Sequence, residues 1–82
     1  MNSETVPLSL RNLLADTFGV TSDEVTPEMS SANLEGWDSF AHLQAMLAIE
    51  GEYGVQFDPQ RIPELTSVAK IQQALEQKGV AL

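Results

Sequence analysis

The chain has 82 residues, twelve acidic against four basic, a formal net charge of −8 and no cysteine. A single domain over residues 1–82 is expected, burying roughly 60 to 65 per cent of its unfolded surface and too small to wall off a large substrate cavity, so a self-sufficient enzyme is not. The charge repels nucleic acid and anionic membranes and favours partners with basic surfaces, while the missing thiols exclude disulfides, a cysteine nucleophile and cysteine-ligated metal.

The opening Met1-Asn2-Ser3-Glu4 lacks the basic and apolar regions of a signal peptide, and no apolar run approaches the roughly 20 residues that span a bilayer. A cytoplasmic monomer is expected. Apolar residues recur at three and four positions without internal repeats, which predicts an all-α fold, a small four-helix bundle of three long helices and one short one.

The first helix is predicted over residues 5–18, with Val6, Leu10, Leu13, Leu14 and Phe18 on one face, Pro7 in its first turn and Gly19 as its stop. Residues 20–37 are rich in turn formers and interrupted by Val25, Met29 and Leu34, which pin the loop to the core. A loop this long in so small a domain frames a site. The second helix opens at Asp38 and runs to Tyr53, where Gly54 stops it. An extended link follows over residues 55–59, with Asp58 as cap and Pro59 starting one short turn through Ile62 that Pro63 cuts off. In the last helix Thr66 is the expected cap, Val68, Ile71 and Leu75 the buried stripe, Lys78 a last-turn cation and Gly79 the terminator.

The second helix carries more apolar surface than one core face needs. At 100° per residue, Phe40, Leu43, Met46, Leu47, Ile49 and Tyr53 cover about half its circumference. Glu50 falls in the middle of that arc, where a charge needs a partner, and divides it. One side, with His42, Met46, Ile49 and Tyr53 joined by Ala45 and Ala48, is assigned to the core. The other, with Phe40, Leu43 and Leu47 beside Gln44, Glu50 and Gly51, reads either as a docking face or as surface covered by the fourth helix. Ser39 stands in the first turn, where unpaired N–H groups and the positive end of the helix dipole favour an attached anion, with Asp38 as the cap that turns its hydroxyl outward. On spacing alone a serine after a capping aspartate is more often just a second capping residue.

At these residues the sequence resembles the acyl carrier protein family, whose members open the second helix of a four-helix bundle with a Gly-x-Asp-Ser-Leu-type motif. The motif stands here as Gly36-Trp37-Asp38-Ser39-Phe40, and the similarity runs from Leu10 to Leu75 through "LLADTFGV", "LAIEGEYGVQFD" and "LTSVAKIQQAL". The resemblance implies a carrier, not a catalyst, of the discrete stand-alone type. Ser39 would receive 4'-phosphopantetheine from coenzyme A through a phosphodiester made by a phosphopantetheinyl transferase, and the terminal thiol of the arm would hold acyl groups as thioesters. It implies that Asp38 helps engage the transferase and that Phe40, Leu43, Gln44, Leu47 and Glu50 form the recognition face. Partners would be acyl-loading ligases or acyltransferases and ketosynthase-type or other acyl-processing enzymes with basic docking surfaces. The chain departs from fatty-acid carriers in having Gln44 and Gly51 where these often have acids, and in Phe40 for the commoner leucine, a feature also seen in D-alanyl carriers. A polyketide-like or other specialised pathway is therefore expected, with an aminoacyl or peptidyl carrier as the alternative.

Other readings are weaker. Ser39 and His42 can approach on one helix face, but a hydrolase further needs an orienting acid and an oxyanion hole. Position twelve from Asp38 is Ile49 and from Asp23 is Leu34, so no calcium loop is present. Trp37 reads as a lid on the loop–helix junction. From another class, an unmodified acidic adaptor binding a basic protein through the second helix also fits the composition.

Overall fold

In residues 6–80, which the computed structural model describes, regular structure begins at Leu8 because Pro7 takes the N-cap with φ −56°. Helix α1 (Leu8–Phe18) thus starts later than periodicity suggests, and Thr5 lies outside the described residues. Its face of Leu10, Leu14, Ala15 and Phe18 is buried, Val6 is buried just ahead of it, and Gly19 ends it at φ 71° with an N–H to Ala15 O. Left-handed backbone of this kind is open to glycine at little steric cost.

The long loop is built rather than loose. A 3-10 turn at Ser22–Glu24 is closed by Glu24 Oε1, which accepts from Thr21 N at 2.9 Å. Val25 and Met29 are buried and Leu34 packs against them, as their spacing suggested. Residues 27–31 then run beside residues 66–69. Ser31 N donates to Thr66 O at 2.9 Å, Val68 N to Met29 O at 2.9 Å and Ala69 N to Pro27 O at 3.1 Å. Helix α3 (Val68–Gln77) therefore receives partners for its first N–H groups from this loop, and Ser67 Oγ accepts from Lys70 N at 3.2 Å to complete the cap. The capping residue is Ser67 and not Thr66, whose carbonyl is taken up by the loop.

Helix α2 (Ser39–Tyr53) lies antiparallel to α1: Phe18 stacks on Trp37 just before its start, with ring centroids 4.5 Å apart, and Ser9 Oγ meets Tyr53 Oη at 2.8 Å at its far end. Gly54 stops it at φ 66°. In the link, Asp58 Oδ1 accepts from Gln60 N at 2.9 Å and its carbonyl from Arg61 N at 2.8 Å, making the expected turn. The short helix comes after that turn, a 3-10 segment at Ile62–Glu64, and Pro63 sits inside it instead of ending it. A proline costs nothing in a first turn, whose N–H groups have no helical partner.

The core draws on all three helices: Leu10 and Leu14, Met46 and Ile49, and Val68, Ile71 and Leu75 have no measurable exposure. Among the described residues there is no strand, and the expected all-α bundle is what forms, with its short helix as a 3-10 turn.

Gly36 stands where the loop meets the end of α1, and a Cβ there would lie 2.9 Å from Phe18 O, a backbone atom with little room to move. Gly36→Ala should destabilise by about 1 to 3 kcal/mol through this overlap. Gly51→Ala, in open space within α2, should instead stabilise by roughly 0.5 to 1 kcal/mol. Urea unfolding of the two variants reads both signs.

Candidate functional site

Three consecutive residues place the start of α2. Trp37 is only 3% exposed, wedged between Phe18 and His42, so it anchors the junction from inside instead of lying over it as a lid. Asp38 is extended (φ −95°, ψ −174°) and its Oδ1 accepts from Ala41 N at 2.9 Å, while its carbonyl accepts from His42 N at 2.8 Å. Ser39 is thereby the first helical residue and its side chain faces solvent. Among the described residues the N–H groups of Ser39 and Phe40 make no hydrogen bond, whereas those of Val68, Ala69 and Lys70 at the head of α3 are all taken. The dipole's positive pole in α2 is open to an anion.

A half-open groove of about 550 Å³ is lined by Ser39 together with Asp38, Thr66, Ser31, Trp37, His42, Leu43, Ile62 and Pro63. A larger, shallow depression of about 810 Å³ between Ser9, Asp16 and Glu52 lies at the far end of α2, about 20 Å along the helix from Ser39, and shares no residue with the site.

His42 is committed elsewhere. Its Nδ1 accepts from Trp37 Nε1 at 2.9 Å, so the ring proton is on Nε2, which donates to Ile62 O at 2.7 Å. Neither nitrogen is available to Ser39 as a base. A buried indole N–H left without an acceptor costs about 1 to 3 kcal/mol, which is why the one histidine within reach is drawn in. Nothing in the helical spacing of His42 and Ser39 signals this bond; the need of a buried tryptophan for an acceptor does.

The divided arc of α2 resolves on exposure. Phe40, Leu43 and Leu47 are 69%, 50% and 60% exposed, a stripe at i, i+3 and i+7 with Gln44 beside it, and α3 does not cover it. The inward face is Ala41, Ala45, Met46 and Ile49, with His42 and Tyr53 half-buried; Ala48 is exposed and does not belong to the core side. Glu50 is half-buried at the edge of the stripe, and its Oε2 accepts from Phe57 N at 2.8 Å, pinning the link after Gly54 to the helix. The partner required by a charge in that arc is thus a backbone N–H.

Ser39 thus presents an outward alcohol in the first turn of α2, and neither ring nitrogen of His42 is turned to it. The sequence model described as "Phosphopantetheine attachment site" matches residues 9–75, and the chain belongs to that family. It is 26% identical over 76 residues to the acyl carrier protein of Coprothermobacter proteolyticus, covering 93% of each chain. It is 28% identical over 72 residues to that of Nitratidesulfovibrio vulgaris strain DP4, covering 88% of this chain and 91% of the relative. Its identity to that of Thermosynechococcus vestitus is 26% over 81 residues, 99% of this chain and all of the relative. Members carry 4'-phosphopantetheine covalently on a serine and are cosubstrates, not catalysts. Among the described residues no helix is long and apolar enough to cross a membrane.

Asp38→Ala should lose about 0.5 to 2 kcal/mol and Asp38→Asn much less, because asparagine caps comparably. Thermal unfolding followed by circular dichroism distinguishes the two; equal melting temperatures for Asp38→Ala and the parent would place the helix start elsewhere.

Proposed function

We propose that Ser39 is the serine that accepts 4'-phosphopantetheine, and that the protein is a discrete cytoplasmic carrier, monomeric and without affinity for nucleic acid or membranes. The observation that carries this reading is exposed Ser39 in the first turn of α2, next to the Asp38 cap, where its own N–H and that of Phe40 have no partner among the described residues, on the lining of a groove. Its Oγ would form the phosphodiester while the N–H groups of Ser39 and Phe40 lie where they can receive the phosphate oxygens. When bound, the group supplies a thiol that the chain, having no cysteine, cannot. Asp38 acts by fixing the helix start on which a transferase must operate.

Phe40, Leu43, Gln44 and Leu47 form the recognition face, bordered by Glu50, for the transferase, an acyl-loading ligase or acyltransferase, and ketosynthase-type or other acyl-processing enzymes. Exposed apolar side chains with a polar surround support docking, and the chain's net charge of −8 supports basic partner surfaces. The uncharged Gln44 and Gly51 make this face less acidic than a fatty-acid carrier's, which favours a polyketide-like or other specialised pathway; Phe40 keeps an aminoacyl, D-alanyl-type cargo as the alternative. The exposed stripe would also serve an unmodified adaptor, which the following experiment separates.

Incubation with coenzyme A and a broad-specificity phosphopantetheinyl transferase should add the mass of one phosphopantetheinyl group, and Ser39→Ala should add none. Absence of the gain in folded wild-type protein points to the adaptor. Leu47→Arg should keep the parent melting temperature, since the side chain is 60% exposed, while kcat/KM with the transferase falls about tenfold, or about 1.4 kcal/mol.

A further inference from the structure

We propose that the enzymes that grip α2 do so with a neutral, apolar cleft that takes Phe40, Leu43 and Leu47, and that their basic residues act at a distance and not within the contact. This deepens the reading of the stripe as the recognition face and rests on it. Helix α2 has 15 residues, with Glu50 and Glu52 as its carboxylates and no lysine or arginine. Glu52 lines the depression shared with Ser9 and Asp16 of α1, about 150° around the helix from the centre of the stripe. Glu50 is half-buried, and its Oε2 is turned to the link, where it accepts from Phe57 N at 2.8 Å. Beyond the stripe, on the side away from Ser39, stand Gln44, Ala48 and Gly51, all exposed and uncharged. The face therefore presents exposed apolar side chains bordered on α2 by neutral residues and by a carboxylate already bonded to the backbone.

A lysine or arginine set against this face would give up water without gaining an ionic partner, which is unfavourable. An apolar cleft gives up nothing of the kind, and side chains at i, i+3 and i+7 fit one cleft laid along a helix. A second copy of the chain is not the occupant, because each copy carries a net charge of −8 and the two repel. Ten of the twelve acidic residues lie outside α2. The field they create draws a basic enzyme toward the protein and speeds encounter, while the bound contact on α2 is held by burial of the stripe.

The broad-specificity phosphopantetheinyl transferase with coenzyme A serves as the probe. Gln44→Glu and Gln73→Glu each add one negative charge, the first beside the stripe and the second on α3, in the depression lined by Arg61 and Lys70. Gln44→Glu should lower kcat/KM for loading about threefold or more, through a carboxylate desolvated against an apolar cleft, while Gln73→Glu should load like the parent. A cationic cleft reverses the order, with Gln44→Glu loading faster than the parent and Gln73→Glu, and overturns the proposal. Equal loading of the parent and both variants, or an equal fall in the two variants, overturns it as well. Salt gives an independent reading. With Ser39→Ala bound to immobilised transferase, association should slow as NaCl rises from about 0.05 to about 0.5 M while dissociation stays constant; dissociation that quickens with salt shows ion pairs within the contact and overturns the proposal. Absence of a mass gain on wild type overturns Ser39 as the attachment site, whereas the binding of Ser39→Ala still reads the contact. Should Gln44→Glu not fold, the salt dependence of dissociation decides.

Discussion

The start of α2 depends on a tryptophan that must be inside and an aspartate that must be outside, one residue apart. Trp37 is buried against Phe18, and the chain approaches closely enough for this only because Gly36 has no Cβ to strike Phe18 O. Asp38, next in an extended conformation, has no choice but to turn outward and cap. With those two fixed, Ser39 is held as the first residue of the helix with its hydroxyl in water. A glycine that admits the tryptophan, a tryptophan that needs an acceptor and a histidine that supplies it are parts of one constraint, and the geometry of the site follows from it.

The two helix heads near the site illustrate how the same backbone chemistry is used in opposite ways. At α3 the loop carbonyls of Pro27 and Met29 and the hydroxyl of Ser67 consume the leading N–H groups. At α2 only the N–H of Ala41 is consumed, and two donors remain bare. Leaving them bare weakens the helix start slightly and preserves a positive pole in a protein that is otherwise strongly acidic. The long loop thus does two things: it seals one terminus and delivers the chain to the other.

Much of this was readable in the residues. Periodic apolar spacing and the glycines at 19, 54 and 79 mark three helices, because a left-handed stop and a 3.6-residue repeat are local properties; all three glycines have positive φ. Asp38 as cap and Val25 and Met29 as pins are local too. What escaped depends on contacts between distant segments. Whether Thr66 or Ser67 caps α3 turns on the pairing with Ser31, which sequence spacing cannot encode. The half-buried Glu50 and its bond to Phe57 N come from the chain doubling back after Gly54, and the exposure of Ala48 from how α1 and α3 lie on α2. The stripe of Phe40, Leu43 and Leu47 could be core or surface until the path of α3 was known. Fold class was legible because it rests on local rules, and the fine structure of the site was not because it rests on tertiary ones.

Around the axis of α2, Ser39 stands between His42 on the groove side and the stripe, and Leu43 borders both. Taking 100° per residue, Phe40, Leu43 and Leu47 centre about 70° from Ser39, and His42 lies about 60° to its other side. The groove therefore runs along the flank of the stripe and meets it at Leu43. If Ser39 bears the arm and the stripe is what a partner grips, the arm emerges at that partner's flank, within a quarter turn of the helix, and can swing into an active site with the helix still held.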